Sequence, residues 1–144
     1  MKRFQLAFFF SVFAIVLGIE ELNGQNFVTD PIEVIKEHFD SHNVEYLINR
    51  TLDGSECLHF REGEITVEYY FNDEGICVIY RTLFPKEGLA ESLDALNASF
   101  TKLKVGIWRE YDGLQYFIRV LDKTISGYSL SVFTEVSLKG VWSN

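Results

Sequence analysis

Apolar and polar positions repeat with two different periods along the chain, and the first period is helical. Between residues 30 and 42, three apolar side chains fall on one helical face: Ile32, Ile35 and Phe39. Asp30 is a typical N-cap, Pro31 suits the first helical position, and Glu33 stands where a capping box needs it. The pattern predicts a helix that begins at Pro31 and ends near Asn43, a residue that tolerates the left-handed conformation.

From residue 44 the period changes to two, which is typical of strands. Alternating segments cover residues 44–49, 57–61 and 65–71, with turns at Asp53-Gly54 and at Gly63 between them. The mostly apolar run from Ile76 to Phe84 suits a central strand, and Pro85 ends it. These four segments predict an antiparallel meander.

A second helix and a hairpin follow Pro85. Apolar residues at intervals of 4, 3, 4 and 3 form one stripe: Leu89, Leu93, Leu96, Phe100 and Leu103. The Asp112-Gly113 turn, between residues 105–111 and 114–121, predicts a hairpin. The stretch from Tyr128 to Trp142 fits a strand and also fits a helix that begins after Ser129, and we favour the strand.

The order of these elements predicts a single α+β domain. Two helices pack on an antiparallel sheet, in the order helix, four strands, helix, and two or three strands. After residue 25 the sequence shows no internal repeat, no low-complexity tract and no linker. A chain of 144 residues suits about one domain.

The first 24 residues differ from the rest of the chain. They open with two basic residues, continue through the apolar stretch Leu6 to Ile19 and turn polar at Glu20, which is the order of a secretory signal peptide. The stretch is shorter than the roughly 20 residues of a membrane-spanning helix, so a permanent anchor is the less favoured alternative. Cleavage after Gly24 or after Gly18 would release the domain. We predict export to the periplasm or the extracellular space, with residues 1–24 as signal peptide and 25–144 as the domain.

The charge of the chain limits its partners. The net charge is −8, and removal of residues 1–24 leaves 11 basic and 19 acidic residues, which gives the same value. Nucleic acid binding depends on clustered Lys and Arg, and the longest basic feature is the pair Lys102 and Lys104. We therefore expect no nucleic acid partner, and contact with a membrane only through the signal segment during export.

Two cysteines raise the question of a disulfide, because export permits one. In the predicted meander one strand lies between Cys57 and Cys77. Two strand spacings are about 9.5 Å, whereas bridged Cα atoms lie within about 7 Å of each other. We expect separate thiols, buried or intermolecular, and a disulfide between the two is the alternative.

Histidines near the end of the first helix could hold a metal. His38 and His42 are four residues apart, and Asp40 or His59 could supply further ligands. The alternative is that the two imidazoles lie favourably at the negative end of the helix dipole. We favour the dipole interpretation, since two ligands do not make a zinc site, and we predict no metal and no cofactor.

No complete catalytic set is recognisable. Cys57 and His59 share a strand face with Arg61, but side chains two apart on a strand are separated by about 6.6 Å, too far for a nucleophile and its base. Acidic residues also gather around two turns: Glu62, Glu64, Glu68, Asp73 and Glu74. Solvated turn charges explain them better than acid–base chemistry does. We predict no catalytic residues and no enzyme.

Aromatic residues on the less buried sheet face are candidates for partner contacts, because Trp and Tyr anchor interfaces. We assign Tyr70 and Trp108 to that face, with Tyr80 or Phe117 beside them depending on the register. The alternative is a third layer that the C-terminal segment forms over these side chains. The predicted partner-binding candidates are Tyr70, Trp108 and Phe117.

Two local sequences resemble a known fold. Phe71-Asn72-Asp73-Glu74-Gly75 lies between two central strands, and Leu93-Asp94-Ala95-Leu96-Asn97 lies in the second helix. In this order of elements they resemble the type III secretion chaperone-like fold, and they are similar to the small bacterial family of sensory transduction regulators. The resemblance covers residues 30–133. It implies a non-enzymatic, often dimeric, protein-binding module.

The sequence therefore predicts an exported binding domain that acts through protein or peptide contacts across its sheet, in a chaperone-like or regulatory role. A homodimer is one expected form of the protein. The alternative is a small-molecule-binding or hydrolytic protein with a pocket between the helices and the sheet. Such a pocket needs converging polar groups. The only candidates for these polar groups are His59, Glu68 and Tyr69, and we do not expect them to share one face of the sheet.

Overall fold

A computed structural model of the chain describes residues 26–135. Two helices are present, α1 (Ile32–Ser41) and α2 (Leu89–Ser99), and a short 3-10 turn, Lys86–Gly88, leads into α2. The eight strands are β1 (Leu47–Arg50), β2 (Glu56–Glu62), β3 (Ile65–Phe71), β4 (Cys77–Pro85), β5 (Thr101–Lys104), β6 (Ile107–Tyr111), β7 (Tyr116–Lys123) and β8 (Gly127–Thr134). They form one antiparallel sheet in the order β1-β2-β3-β4-β8-β7-β6-β5.

This architecture confirms an α+β domain with two helices on an antiparallel sheet, but the predicted order of elements is wrong after α2. Four strands follow that helix, not two or three. The helix ends at Ser99, Phe100 is already extended (φ −130°, ψ 159°), and Leu103 lies on β5 with 48% of its surface exposed. Because every side chain of the edge strand β5 is exposed, no alternation marked it as a strand.

The order of elements repeats, although no sequence repeat is found. Each half is a helix followed by a four-stranded meander, and the last strands of the two meanders, β4 and β8, pair at the centre of the sheet from Ile79↔Phe133 to Pro85↔Gly127. At Gly127 a Cβ would clash with the backbone carbonyl of Phe84, so glycine permits the close approach that begins this pairing. The favoured strand from Tyr128 is confirmed as far as Thr134.

The start of α1 differs from the predicted capping box. Pro31 is the N-cap, and no side chain caps the helix, so Asp30 does not have that role. Instead the Asp30 carbonyl accepts a hydrogen bond from the backbone N–H of Cys77 (2.8 Å), and Pro31 bridges to Ile76 at the start of β4. The chain after α1 turns at Asn43, whose φ of 57° confirms the predicted left-handed residue.

Both helices pack on one face of the sheet. Phe39 of α1 contacts Phe60 of β2 and Tyr69 of β3, with ring centroids 5.1 and 5.7 Å apart. Leu96 of α2 is fully buried in the same cluster as Leu130 of β8. Each such side chain contributes about 1.5–3 kcal/mol by leaving water. The core therefore lies between the helices and this face.

Parts of the predicted organisation fall outside the described residues. They are the signal peptide, residues 1–24, and residues 136–142 of the C-terminal stretch. None of the helices within residues 26–135 is long and apolar enough to cross a membrane.

Candidate functional site

The candidate site is the sheet face opposite the two helices. Side chains alternate between the faces of a strand, and the pairing register places two rows of them across this face. The first row is Cys57, Tyr70, Ile79, Phe133, Ile118 and Arg109. The second row is His59, Glu68, Arg81, Ser131, Val120 and Ile107. We call this the uncovered face, because neither helix of residues 26–135 packs on it, and its two halves differ in chemistry.

The half on β1–β4 is polar, and its side chains bond to one another. Arg81 donates from Nε and Nη2 to Glu68 Oε1 (2.9 and 2.6 Å) and from Nη2 to the Tyr70 hydroxyl (3.1 Å). Asn49 Nδ2 lies 2.7 Å from His59 Nε2. Burial, and then the charge of Glu68, raise the pKa of Tyr70 to about 12. This half therefore presents a neutral phenol and a carboxylate held by a guanidinium.

The half on β4–β8 is apolar and concave. It forms a groove of about 580 Å³, and its apolar side chains come from five strands: Ile79, Leu103, Ile107, Ile118, Val120 and Phe133. Glu135 of the lining forms an ion pair with the neighbouring Arg109 at 3.6 Å, and the other polar lining residues are Lys104, Asp122 and Ser131. We call this the β5–β8 groove.

Of the three predicted partner-binding residues, only Tyr70 lies on the uncovered face. Trp108 is 0% exposed, and its Nε1 donates to Asn97 Oδ1 of α2 at 2.9 Å. Phe117 is also buried in the core, at 4% exposure. The assignment of Trp108 and Phe117 to the less buried face is wrong, because both side chains belong to the buried core cluster and Trp108 contacts α2.

Of the three polar residues considered for the alternative pocket, two share a face, contrary to the expectation, and the third lies on the other face. His59 and Glu68 are opposite each other on the uncovered face, whereas Tyr69 is 1% exposed in the helix-covered core. A larger hollow of about 1100 Å³ near the β1 edge includes His59 and Glu68 in its lining. Both side chains already have partners there, Asn49 and Arg81 respectively.

The candidate metal ligands do not assemble into a site, although the ring centroids of His38 and His42 lie 4.4 Å apart. Within residues 26–135, no group of three or more His, Cys, Asp or Glu side chains could hold a metal. His42 Nδ1 lies 2.8 Å from the carbonyl oxygen of His38 at the end of α1. The acidic turns around Glu64 and Glu74 are at opposite ends of β3, about 20 Å apart, and both residues are exposed, which agrees with the interpretation of solvated turn charges.

The apolar residues of the groove were not predicted as a site. The signal available in the sequence is β7, where residues 116–121 place apolar side chains on both faces of the strand, with Arg119 as the one charged residue. In a sheet with one solvated face, the outer positions are normally polar. Ile118 and Val120 break that rule, and they form the floor of the groove with Ile107.

Both cysteines are buried and free, on strands separated by β3. The predicted placement is confirmed. Burial raises the pKa of Cys77 to about 12, and burial is also the main cause of the raised pKa of Cys57. Neither thiol is therefore an activated nucleophile at neutral pH.

We expect the protein to lose stability in alkaline solution because of Cys77. Below its ordinary pKa of 9.0, folded and unfolded states both keep the proton. As pH rises from 9.0 toward about 12, the unfolded thiol ionises first, so the free energy of unfolding falls, by about 1.4 kcal/mol per pH unit at most. Urea unfolding across this range measures the loss. In Cys77→Ala the free energy of unfolding should decline less steeply with pH. An equal slope in the two proteins would contradict the raised pKa of Cys77.

Comparison with known proteins identifies no relative of this chain. No protein family, curated protein or solved structure matches the chain.

Proposed function

We propose that the protein is an exported, non-enzymatic binding domain that holds a protein or peptide partner on its uncovered face, in a chaperone-like or regulatory role. The observation that carries the proposal is the β5–β8 groove. An apolar surface rimmed by charged residues is typical of interaction sites. The same face of the β1–β4 half is polar, so the groove is a local departure and not a property of the whole sheet.

The chemistry of the polar half supports binding over catalysis. A general base needs an accessible carboxylate or imidazole with a pKa near the working pH. Glu68 is held by Arg81 through two hydrogen bonds to one oxygen, and the pKa of Tyr70 is raised to about 12. These groups suit hydrogen bonding to a partner better than proton transfer.

The size of the face also suits a macromolecule. Eight strands at a spacing of about 4.8 Å, each about 20 Å long, give a footprint of about 750 Å². Standard interfaces bury about 800 Å² per partner. A second copy of the chain is one partner of suitable size, which is the basis for proposing a homodimer as one form of the complex.

Site-specific photo-crosslinking tests the proposal. We expect a benzophenone amino acid at Ile107, in the groove, to form a covalent adduct with one defined protein or with a second copy. The matched control carries the same group at Thr66, on the polar half of the same face. Adducts of equal yield from both positions, or no adduct from Ile107 in the exported protein, would contradict protein contact through the groove.

A further inference from the structure

The shape of the β5–β8 groove restricts what fills it. Its volume of about 580 Å³ lies within the roughly 300–1,000 Å³ of small-molecule sites. Where two copies meet through the uncovered face, their concave grooves leave a space between them, which close packing disfavours unless a smaller ligand fills it. A narrow, convex and flexible apolar group fits better.

The lining indicates an aliphatic occupant. Five of its six apolar side chains are aliphatic and come from β4, β5, β6 and β7, and Phe133 of β8 is the sixth. Between β4 and β5 the sheet spans four strand spacings, about 19 Å. The groove therefore offers a long apolar track that crosses the strands.

Charge distinguishes the two ends of this track. Arg109 is paired with Glu135, whereas Lys104 forms no ion pair among residues 26–135. The β5 edge, residues 101–106, holds Lys102 and Lys104 and no acidic residue. Asp122 is also in the lining, two residues beyond Val120 on β7. The rim at β5 therefore carries the Lys104 ammonium, unpaired within the described chain, and the Asp122 carboxylate lies two strands away on β7.

We infer that the β5–β8 groove is a binding site for a linear fatty acid. The carboxylate lies at the Lys104 ammonium, and the chain crosses Ile107, Val120 and Ile118 toward Ile79. The inference goes beyond the proposed protein contact and does not depend on it, because the ligand needs no partner chain. A fatty acid that occupies the groove also competes with any protein that binds there.

Calorimetric titration of the purified chain with octanoate, decanoate and dodecanoate tests the site. Affinity should rise about two- to fourfold for each added methylene, as expected for a chain that is half to fully buried. Decanoate should bind more tightly than decanol, and salt should reduce that difference. Affinities independent of chain length would overturn the inference.

Single substitutions locate the two ends of the ligand. Lys104→Gln should weaken decanoate binding about two- to fivefold and leave decanol binding unchanged. Lys102→Gln is the matched control, because Lys102 is opposite Trp108 on the helix-covered side. Val120→Thr, which keeps the branched shape of a strand residue, should weaken both ligands.

Other occupants of the groove give different results. Binding that appears only after truncation following Glu135 would assign the groove to residues 136–144 and overturn the inference. A dimer that Val120→Thr dissociates, with no binding of dodecanoate, would assign it to a second copy. Binding of fatty acid without any photo-adduct from Ile107 would support the ligand site while contradicting the protein contact.

Discussion

Replacing Glu110 by Ala should lower the free energy of unfolding by about 2–4 kcal/mol, because it leaves a buried guanidinium without its counter-charge. Arg119 is 1% exposed and forms an ion pair with Glu110, whose side chain is 35% exposed. The Arg119 Cζ also lies 3.9 Å from the ring centroid of Phe100. Its Nε has no hydrogen-bond partner in the described chain. The buried Tyr80 hydroxyl also interacts with the guanidinium, but a neutral hydroxyl does not replace the charge of the lost carboxylate.

Two further variants separate the charge effect from lost packing. Arg119→Met combined with Glu110→Ala removes both charges and should recover most of the loss, since an apolar side chain fits an apolar site. Glu135→Ala breaks the more exposed pair with Arg109 and should cost less than about 1 kcal/mol. Urea unfolding measures all three. Equal losses in Glu110→Ala and Glu135→Ala would contradict a special role for the buried charge.

The first half of the fold could be predicted from the sequence because its two sheet faces differ in polarity. In β3 the apolar residues Ile65, Val67, Tyr69 and Phe71 are all buried, and the residues between them are only partly buried. Such one-sided alternation fixes both the strand and its inner face. The meander from β2 to β4 and the separation of Cys57 from Cys77 follow directly from it.

The second half could not be predicted in the same way, because β7 is apolar on both faces. Phe117 and Leu121 share the inner face with Arg119, and a charged residue in the middle of that face makes it look solvated. The outer positions Ile118 and Val120 look like core. Only the packing of α2 over the Arg119 side, where Phe100 and Glu110 accommodate the charge, decides which face is inside.

The groove depends on contacts that no local pattern contains. Ile79 and Ile107 are 28 residues apart in the chain, and they share the groove only because β4 pairs with β8 and the second meander then continues to β6. That strand order follows from the pairing of β4 with β8, which brings together segments that are far apart in the sequence. The edge strand β5 supplies Leu103 and Lys104, whereas the apolar spacing predicts that Leu103 belongs to the second helix.

Trp108→Ala should lower the free energy of unfolding by about 3–5 kcal/mol. The side chain is 0% exposed in the core, so its removal costs both buried apolar area and the cavity left behind. Trp108→Phe keeps most of the packing and loses only the hydrogen bond to Asn97, which should cost about 1 kcal/mol.

The control for this prediction is an exposed aromatic on the same strand. Tyr111 is 57% exposed, and Tyr111→Ala should cost less than about 1 kcal/mol, as measured by urea unfolding. A Trp108→Ala protein as stable as Tyr111→Ala would place the indole on the surface and restore it as an interface anchor. Proteins have total free energies of unfolding of about 5–15 kcal/mol, so the loss expected for Trp108→Ala is a large share of that stability. Trp108→Ala therefore reports on the core, and only variants on the uncovered face can report on binding.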